Sequence, residues 1–298
     1  MRGDGVLILA GPTASGKTEL ALMLAERFDA EIVGADSRQV YARMPIGTAA
    51  PTAQQRARVP HHAIDFVDPA QRYSAAQYVR DARTAIDSIR ARGRRVIVVG
   101  GTGFYIRALA GDVTLAEAPD GALRERLARE ALIHPPDVLA DWLAAVAPAR
   151  AAAIEGHDPY RVLRALEVAL AEPTRAVPPP LPTLRAAGIP FVKCWLDVPL
   201  ADVAARIALR VDAMLAAGFL DEAERIGVAA VAANAVGYRE AGAFLAGWST
   251  RDELRAQLIR NTRRYAKRQA TWFRSEPDVL RVGPHEVEAT ARERLGWT

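Results

Sequence analysis

Val6-Leu7-Ile8-Leu9-Ala10, followed directly by Gly11-Pro12-Thr13-Ala14-Ser15-Gly16-Lys17-Thr18, is the stretch that decides the fold. The octapeptide matches G-x-x-x-x-G-K-[ST] in full. Its glycines let backbone N–H groups turn inward around a phosphate, Lys17 supplies a point charge, and the Thr18 hydroxyl can hold magnesium. A helix beginning at Lys17 adds its positive N-terminal end. The apolar run before the loop and the helical pattern after it, Lys17–Phe28, are the context the motif requires. A grip on a di- or triphosphate is therefore expected, and the motif alone leaves open whether that group is ATP.

Outward from this loop, three more apolar runs read as buried parallel strands: Glu31–Ala35, Arg95–Val99 and Phe191–Leu196. They are rich in Val and Ile and lack in/out alternation, as strands covered on both faces do. Helical patterns such as Ala75–Arg92 lie between them, so the expected fold is α/β, a P-loop NTPase-like core whose parallel sheet has helices on both faces. From Ala116 to Glu172 no strand-like run occurs and the apolar spacing is helical, with Asp158-Pro159 marking a helix start. The Pro-rich stretch Pro173–Pro182 then returns the chain to a strand. The expected organisation is core (1–115), helical insertion domain (116–185) and core again (186–298). Beyond residue 200 the chain reads as helical to about Arg274, with Asp202–Ala217 and Asp252–Arg274 the clearest segments.

A chain of 298 residues, half apolar and a quarter charged, can build a real core as one large domain or two modest ones. The single cysteine, Cys194, excludes an internal disulfide and a cysteine-based zinc site. Within its apolar run it reads as a buried core thiol, and a reducing, cytoplasmic compartment is the simplest fit. Val6–Ala10 is too short for the apolar core of a signal peptide, and no stretch approaches the ~18 apolar residues of a membrane span, so a soluble protein with no membrane partner is expected. The net charge of +4 fits a polyanionic partner without requiring one.

The run Val96–Val99 ends in Gly100-Gly101-Thr102-Gly103 with no carboxylate, unlike the acid-terminated strand of an ordinary NTPase. Glycines there let something approach the backbone closely, and Thr102 offers a hydroxyl at the same sheet edge. Carboxylates follow two other strands, at Asp36 and Asp197, where an open α/β sheet has its ligand crevice. Asp36, followed by Ser37-Arg38-Gln39, is the better candidate to face a substrate; Asp197, before Val198-Pro199, suits a turn or helix cap. Between Arg255 and Arg274 the charged residues are Arg255, Arg260, Arg263, Arg264, Lys267, Arg268 and Arg274, with no acid among them. At helical spacing Arg260, Arg263, Arg264, Lys267 and Arg268 form a cationic stripe suited to a phosphate backbone, with Leu258, Ile259, Tyr265, Ala266 and Phe273 on the other side. Arg206 and Arg210, one helical turn apart, could clamp a diphosphate or pair with Asp202. The adjacent His61 and His62 read as structural, because no third metal ligand lies near them in sequence.

Taken in order, the motifs resemble the tRNA dimethylallyltransferase (isopentenyl-pyrophosphate:tRNA transferase) family in its bacterial form. The resemblance rests on Gly11–Thr18, on Asp36-Ser37-Arg38-Gln39-Val40-Tyr41 with Ile46-Gly47-Thr48-Ala49, and on Pro60-His61-His62 with Ile64-Asp65. It continues through Gly100–Tyr105, Asp158-Pro159-Tyr160-Arg161 with Arg164–Glu167, Val236–Glu240 and Thr262–Arg274. The resemblance implies transfer of a dimethylallyl group from dimethylallyl diphosphate to the exocyclic amine of the adenosine 3′ to the anticodon, tRNA position 37. It implies that Gly11, Pro12, Thr13, Ala14, Ser15, Gly16, Lys17 and Thr18 hold the diphosphate leaving group with magnesium, the cofactor expected, on Thr18. It further implies Asp36 as general base, Thr102 as the contact to the amine, and Arg210 as the cation that neutralises the leaving group. The tRNA contacts it implies are Asp36, Ser37, Arg38, Gln39, Thr102, Arg124, Arg161, Arg164, Asn234, Gly237, Tyr238, Arg239, Lys267, Arg268, Gln269 and Arg274, with the insertion grasping the anticodon stem-loop and the chain acting as a monomer. The sequence departs from the family at Ala50, where lysine is common, and lacks the zinc finger of eukaryotic members. Rival readings are a P-loop small-molecule kinase, which would not use the cationic stripe, an enzyme prenylating free adenine nucleotides, and a non-catalytic RNA-binding module, which leaves the phosphate loop unexplained.

Overall fold

The computed structural model describes residues 5–115, 121–154, 158–171, 180–227 and 230–298. Its strands are β1 (Val6–Ala10), β2 (Ala30–Gly34), β3 (His61–His62), β4 (Arg95–Gly100), β5 (Phe191–Leu196) and β6 (Val279–Val282). They form one sheet in the order β3-β2-β4-β1-β5-β6, with every neighbouring pair parallel. The helices before the insertion are α1 (Lys17–Arg27), α2 (Pro45–Thr48), α3 (Ala53–Arg58), α4 (Ala75–Ala91) and α5 (Gly103–Ala110). Within the insertion lie α6 (Gly121–Ile133), α7 (Pro136–Val146), α8 (Pro148–Ala152) and α9 (Pro159–Ala169). After it come α10 (Leu200–Ala216), α11 (Phe219–Ile226), α12 (Tyr238–Leu245), α13 (Arg251–Arg274) and α14 (Val287–Leu295).

The four strands expected from unbroken apolar runs stand within a residue of their expected bounds. β3 and β6 were not expected. β3 is two residues of histidine, and β6 is a half-exposed edge strand carrying Arg281. Neither has the continuous apolar run that marks a strand covered on both faces.

One face of the sheet, with Leu7, Leu9, Ile97, Val99, Cys194 and Leu196, packs under Leu22, Leu24 and Phe28 of the α1 segment. Val287, Ala291 and Leu295 of α14 and Trp297 close the same layer. Burial pushes the Cys194 thiol up to about 12, the inert state expected of a core cysteine. On the opposite face Trp195 stacks on Phe273 of α13, with ring centroids 4.5 Å apart. β5 also carries the buried Lys193, whose amine lies 2.8 Å from Asp112 and 2.9 Å from Glu276.

β1 leads on to β2 on one side of itself, whereas its neighbour β4 leads past it to β5 on the other. The carboxyl end of β1 is thus the switch point at which an open parallel sheet forms its ligand crevice.

Residues 114–180 form a second compact unit, and 181–298 belong with 1–113. The rejoining segment therefore starts earlier than the expected 186: the Leu184 N–H donates to the Leu109 carbonyl and that of Arg185 to Ala110. Most of the Pro-rich stretch, 172–179, lies outside the described residues. The second unit has its own small core of Leu127, Leu139, Leu143, Val162 and Leu166. Its α9 begins as the sequence suggested, with Asp158 capping the Arg161 N–H.

Candidate functional site: a phosphate loop facing an acid–hydroxyl pair

Between β1 and α1 the chain turns through Ala14 at φ 63° and Gly16 at φ 88°, a left-handed conformation that only Gly16 adopts without a side-chain penalty. The Ser15 N–H closes the turn on the Pro12 carbonyl at 3.2 Å. Two guanidinium groups lean onto this loop from α10. Arg206 donates to the Ser15 carbonyl at 3.3 Å, and Arg210 donates to the Thr13 hydroxyl at 3.0 Å. Both arginines thus reach the phosphate loop itself from α10.

The Lys17 amine lies 3.3 Å from the Pro12 carbonyl. Burial pulls its pKa down to about 8, with the Asp36 charge opposing and Arg210 adding to the fall. Burial likewise lowers Arg210, again against the pull of Asp36. Two desolvated cations around one loop raise each other's energy until an anion arrives. The Ser15 hydroxyl is buried without a hydrogen-bond partner, a further vacant polar group in the loop.

Facing the loop is the segment after β2. Asp36 accepts the Arg38 N–H at 2.9 Å. The Ser37 N–H donates to the Thr102 hydroxyl at 2.9 Å, and that hydroxyl lies 3.3 Å from Ser37 Oγ. Asp36 and Thr102 are thus joined through Ser37, which lies 65 residues before Thr102 in sequence. Gly100 makes this possible, because a Cβ there would lie 2.0 Å from the Ala35 carbonyl oxygen. The close approach that the glycines permit is made by the chain itself.

Tyr265 of α13 and Tyr105 of α5 border this acid. Burial raises both hydroxyls above the usual tyrosine range, and the charge of Asp36 adds to each. Both stay protonated beside the half-buried Asp36.

The family model for IPP transferase matches residues 39–276. The chain belongs to the IPP transferase family. A tRNA dimethylallyltransferase of Anaeromyxobacter sp. (strain K) is 44% identical over 97% of both chains. One of Geobacter sulfurreducens is 43% identical over 92% of this chain and 90% of its own. Among solved structures, the tRNA isopentenylpyrophosphate transferase of Bacillus halodurans is similar at 34% identity and TM-score 0.70, covering 98% of this chain and 96% of that one. A eukaryotic dimethylallyltransferase shares the fold, with TM-score 0.75 over 96% of this chain and 75% of that one.

For the IPP transferase chain, the residues expected on the RNA side divide into outward and inward groups. Arg161, Asn234, Arg239, Lys267, Arg268 and Arg274 are exposed. Arg38 donates to Asn234 at 2.5 Å, joining two of the expected contacts. Arg124 and Arg164 are half-buried and both bind the buried Glu167, at 3.0 and 2.7 Å.

Four expected contacts turn inward instead. Gln269 is buried, accepting the Thr13 N–H and donating to the Gly101 carbonyl. Tyr238 is buried with its hydroxyl on Glu222 at 2.7 Å. Gln39 spends its amide hydrogens on the carbonyls of Thr48 and Ala49. Gly237, at φ 105°, forms the turn before α12 and is buried too. Gln269 falls in register with Leu258, Ala266 and Phe273, the buried face of α13, which spacing alone could have indicated.

The sequence reading missed Glu222. Buried on α11, its carboxylate accepts the N–H groups of Ile46 and Gly47 at 2.9 and 2.8 Å and so holds the loop beside Arg210. Ala50 supplies no cation on this loop, where Arg210 reaches the Thr48 carbonyl at 3.5 Å.

Arg255, ahead of the stripe on α13, is paired bidentately with Asp212 of α10 at 2.5 and 2.7 Å. His61 and His62 serve the fold: His61 bonds the Val59 carbonyl, and His62 meets the buried Glu31 at 2.6 Å. Asp197 is an exposed turn residue 3.7 Å from Arg281. Among the described residues no helix is long and apolar enough to cross a membrane.

Proposed function

We propose that the protein transfers the dimethylallyl group of dimethylallyl diphosphate to the exocyclic amine of adenosine 37 in tRNA. The observation that carries this reading is the pairing, across one crevice, of a phosphate loop flanked by Lys17, Arg206 and Arg210 with an acid–hydroxyl pair, Asp36 and Thr102. A kinase would need an acid at the end of β4 to help hold its metal, and glycine stands there. The names of the relatives that match nearly end to end support the same chemistry.

In this reading the loop holds the diphosphate, and Arg210 neutralises the charge that develops on the bridging oxygen as the allylic C–O bond breaks. Thr102 orients the amine, whose nitrogen forms the new C–N bond. Asp36 takes the proton that the nitrogen loses, and the products are diphosphate and N-isopentenyladenosine. The described residues hold no cluster of three His, Cys, Asp or Glu side chains fit for a metal. They fit magnesium only as an ion carried in by the diphosphate, with the Thr18 hydroxyl as protein donor. Bound there, it would offset leaving-group charge. Arg161 on the inserted unit, and Lys267, Arg268 and Arg274 on α13, are exposed cations for the RNA backbone, while Arg124 and Arg164 are held by Glu167.

The test is to incubate the protein with labelled dimethylallyl diphosphate, magnesium and either unmodified tRNA or AMP, and then identify the labelled nucleoside. Labelled isopentenyladenosine from tRNA alone is expected. Label on AMP would make the protein a nucleotide prenyltransferase, and label on neither would return it to the kinase reading.

A further inference from the structure

The side chain of Gln269 bridges two loops of the crevice, the phosphate loop after β1 and the Gly101 turn after β4, just beyond the point where these paired strands end at Ala10 and Gly100. Its Oε1 accepts the Thr13 N–H at 2.9 Å, and its Nε2 donates to the Gly101 carbonyl at 2.9 Å. The residue is 5% exposed, while its neighbours Lys267 and Arg268 face solvent. A Cβ on Gly101 would lie 2.0 Å from Nε2, so the space beside that glycine is taken by the amide.

Each end of the bridge leads to a reacting group. Thr13 receives Arg210 on its hydroxyl at 3.0 Å. Gly101 precedes Thr102, whose hydroxyl holds the Ser37 N–H next to Asp36. We propose that Gln269 is a positioning residue that sets the phosphate loop against the Thr102–Asp36 edge, fixing the placement of leaving group and nucleophile, and that it makes no contact with RNA. The proposal rests on the reading of the loop as a diphosphate grip.

Only a primary amide of this length supplies both an acceptor and a donor at these positions. Leucine would leave the Thr13 N–H and Gly101 carbonyl without that partner in a buried place. Glutamate would keep the acceptor but turn a charged oxygen toward the Gly101 carbonyl. In-line displacement is sensitive to such shifts, since a misplacement of about 1 Å can cost ~100-fold in rate.

The experiment compares the parent with Gln269→Leu and Gln269→Glu. Three quantities are measured: calorimetric affinity for inorganic pyrophosphate with magnesium, turnover, and affinity for unmodified tRNA. Gln269→Leu is expected to weaken pyrophosphate at least ~10-fold and turnover ~100-fold while tRNA affinity stays within about twofold. Gln269→Glu is expected to move the first two in the same direction, which keeps the test decisive if the leucine variant does not fold. Parent-like pyrophosphate affinity and turnover in a folded variant would overturn the proposal, as would a loss confined to tRNA affinity. A parent protein that binds no pyrophosphate would overturn the diphosphate reading of the loop and this proposal with it.

Discussion

Asp36 and Lys17 sit on opposite sides of the same crevice, and replacing either has a measurable consequence. With one oxygen of Asp36 held by the Arg38 N–H, the carboxylate is oriented before any substrate arrives. Asp36→Ala is expected to lower turnover at least ~100-fold with tRNA affinity retained, measured by single-turnover kinetics beside a binding titration. Near-parent turnover would remove Asp36 from the role of base. Lys17, with its pKa drawn down to about 8 by burial, is protonated below that pH and neutral above it. An anion in the loop favours the ammonium form, so binding takes up a proton on the alkaline side. Pyrophosphate affinity is therefore expected to fall as pH rises from about 7 to about 9, and to stay flat in Lys17→Arg, whose guanidinium keeps its proton. A flat profile in the parent would show that the lysine does not titrate there. At this scale the motif residues were legible because their spacing is local. Glu222 was not, since its three partners, Ile46, Gly47 and Tyr238, meet it only after folding.

Helix α13 joins two tasks on two faces. Leu254, Leu258, Ala266, Gln269 and Phe273 are buried, and Thr250 and Glu253 close its N-terminus with a capping box. Arg263, Arg264, Lys267 and Arg268 remain exposed. Replacing these four with alanine is expected to weaken tRNA binding and make its salt dependence shallower, because fewer counterions are released on binding. An unchanged slope in a titration of affinity against salt would reduce the stripe to a solvated surface. The periodicity of the helix was readable from the sequence. That Arg255 pairs with Asp212 was not, because the acid sits 43 residues away on α10.

Across the whole core, a buried ionic cluster ties together segments that are remote in sequence. Lys193 on β5, 1% exposed, holds Asp112 and Glu276, and these in turn bind Arg185 and Arg107. Asp112 stands just before the inserted unit, Arg185 just after it, and Glu276 just after α13. Lys193→Met would leave two buried carboxylates without their shared cation, and a loss of about 3–5 kcal/mol in urea-induced unfolding is expected. A change within ~0.5 kcal/mol would mean that the remaining arginines hold the acids alone. Burial raises the Asp112 pKa, but its bonds to Lys193 and Arg185 outweigh that and hold it below the usual carboxylate value. Its contribution is thus present above the unfolded pKa of about 4 and is lost as pH falls through the lower folded value.

The sequence by itself determined the parallel α/β core, the phosphate loop, the cap of α9 and the two faces of α13, because each is a local pattern of apolar spacing or turn chemistry. Only the tertiary structure decided that Gln269 turns into the loop, that Glu222 holds the Ile46–Gly47 turn, and which arginines keep their charge free for an anion. Those outcomes depend on which side chains meet across long sequence separations. Spacing places Gln269 on the buried face of α13, but only the fold brings it the Thr13 N–H and the Gly101 carbonyl.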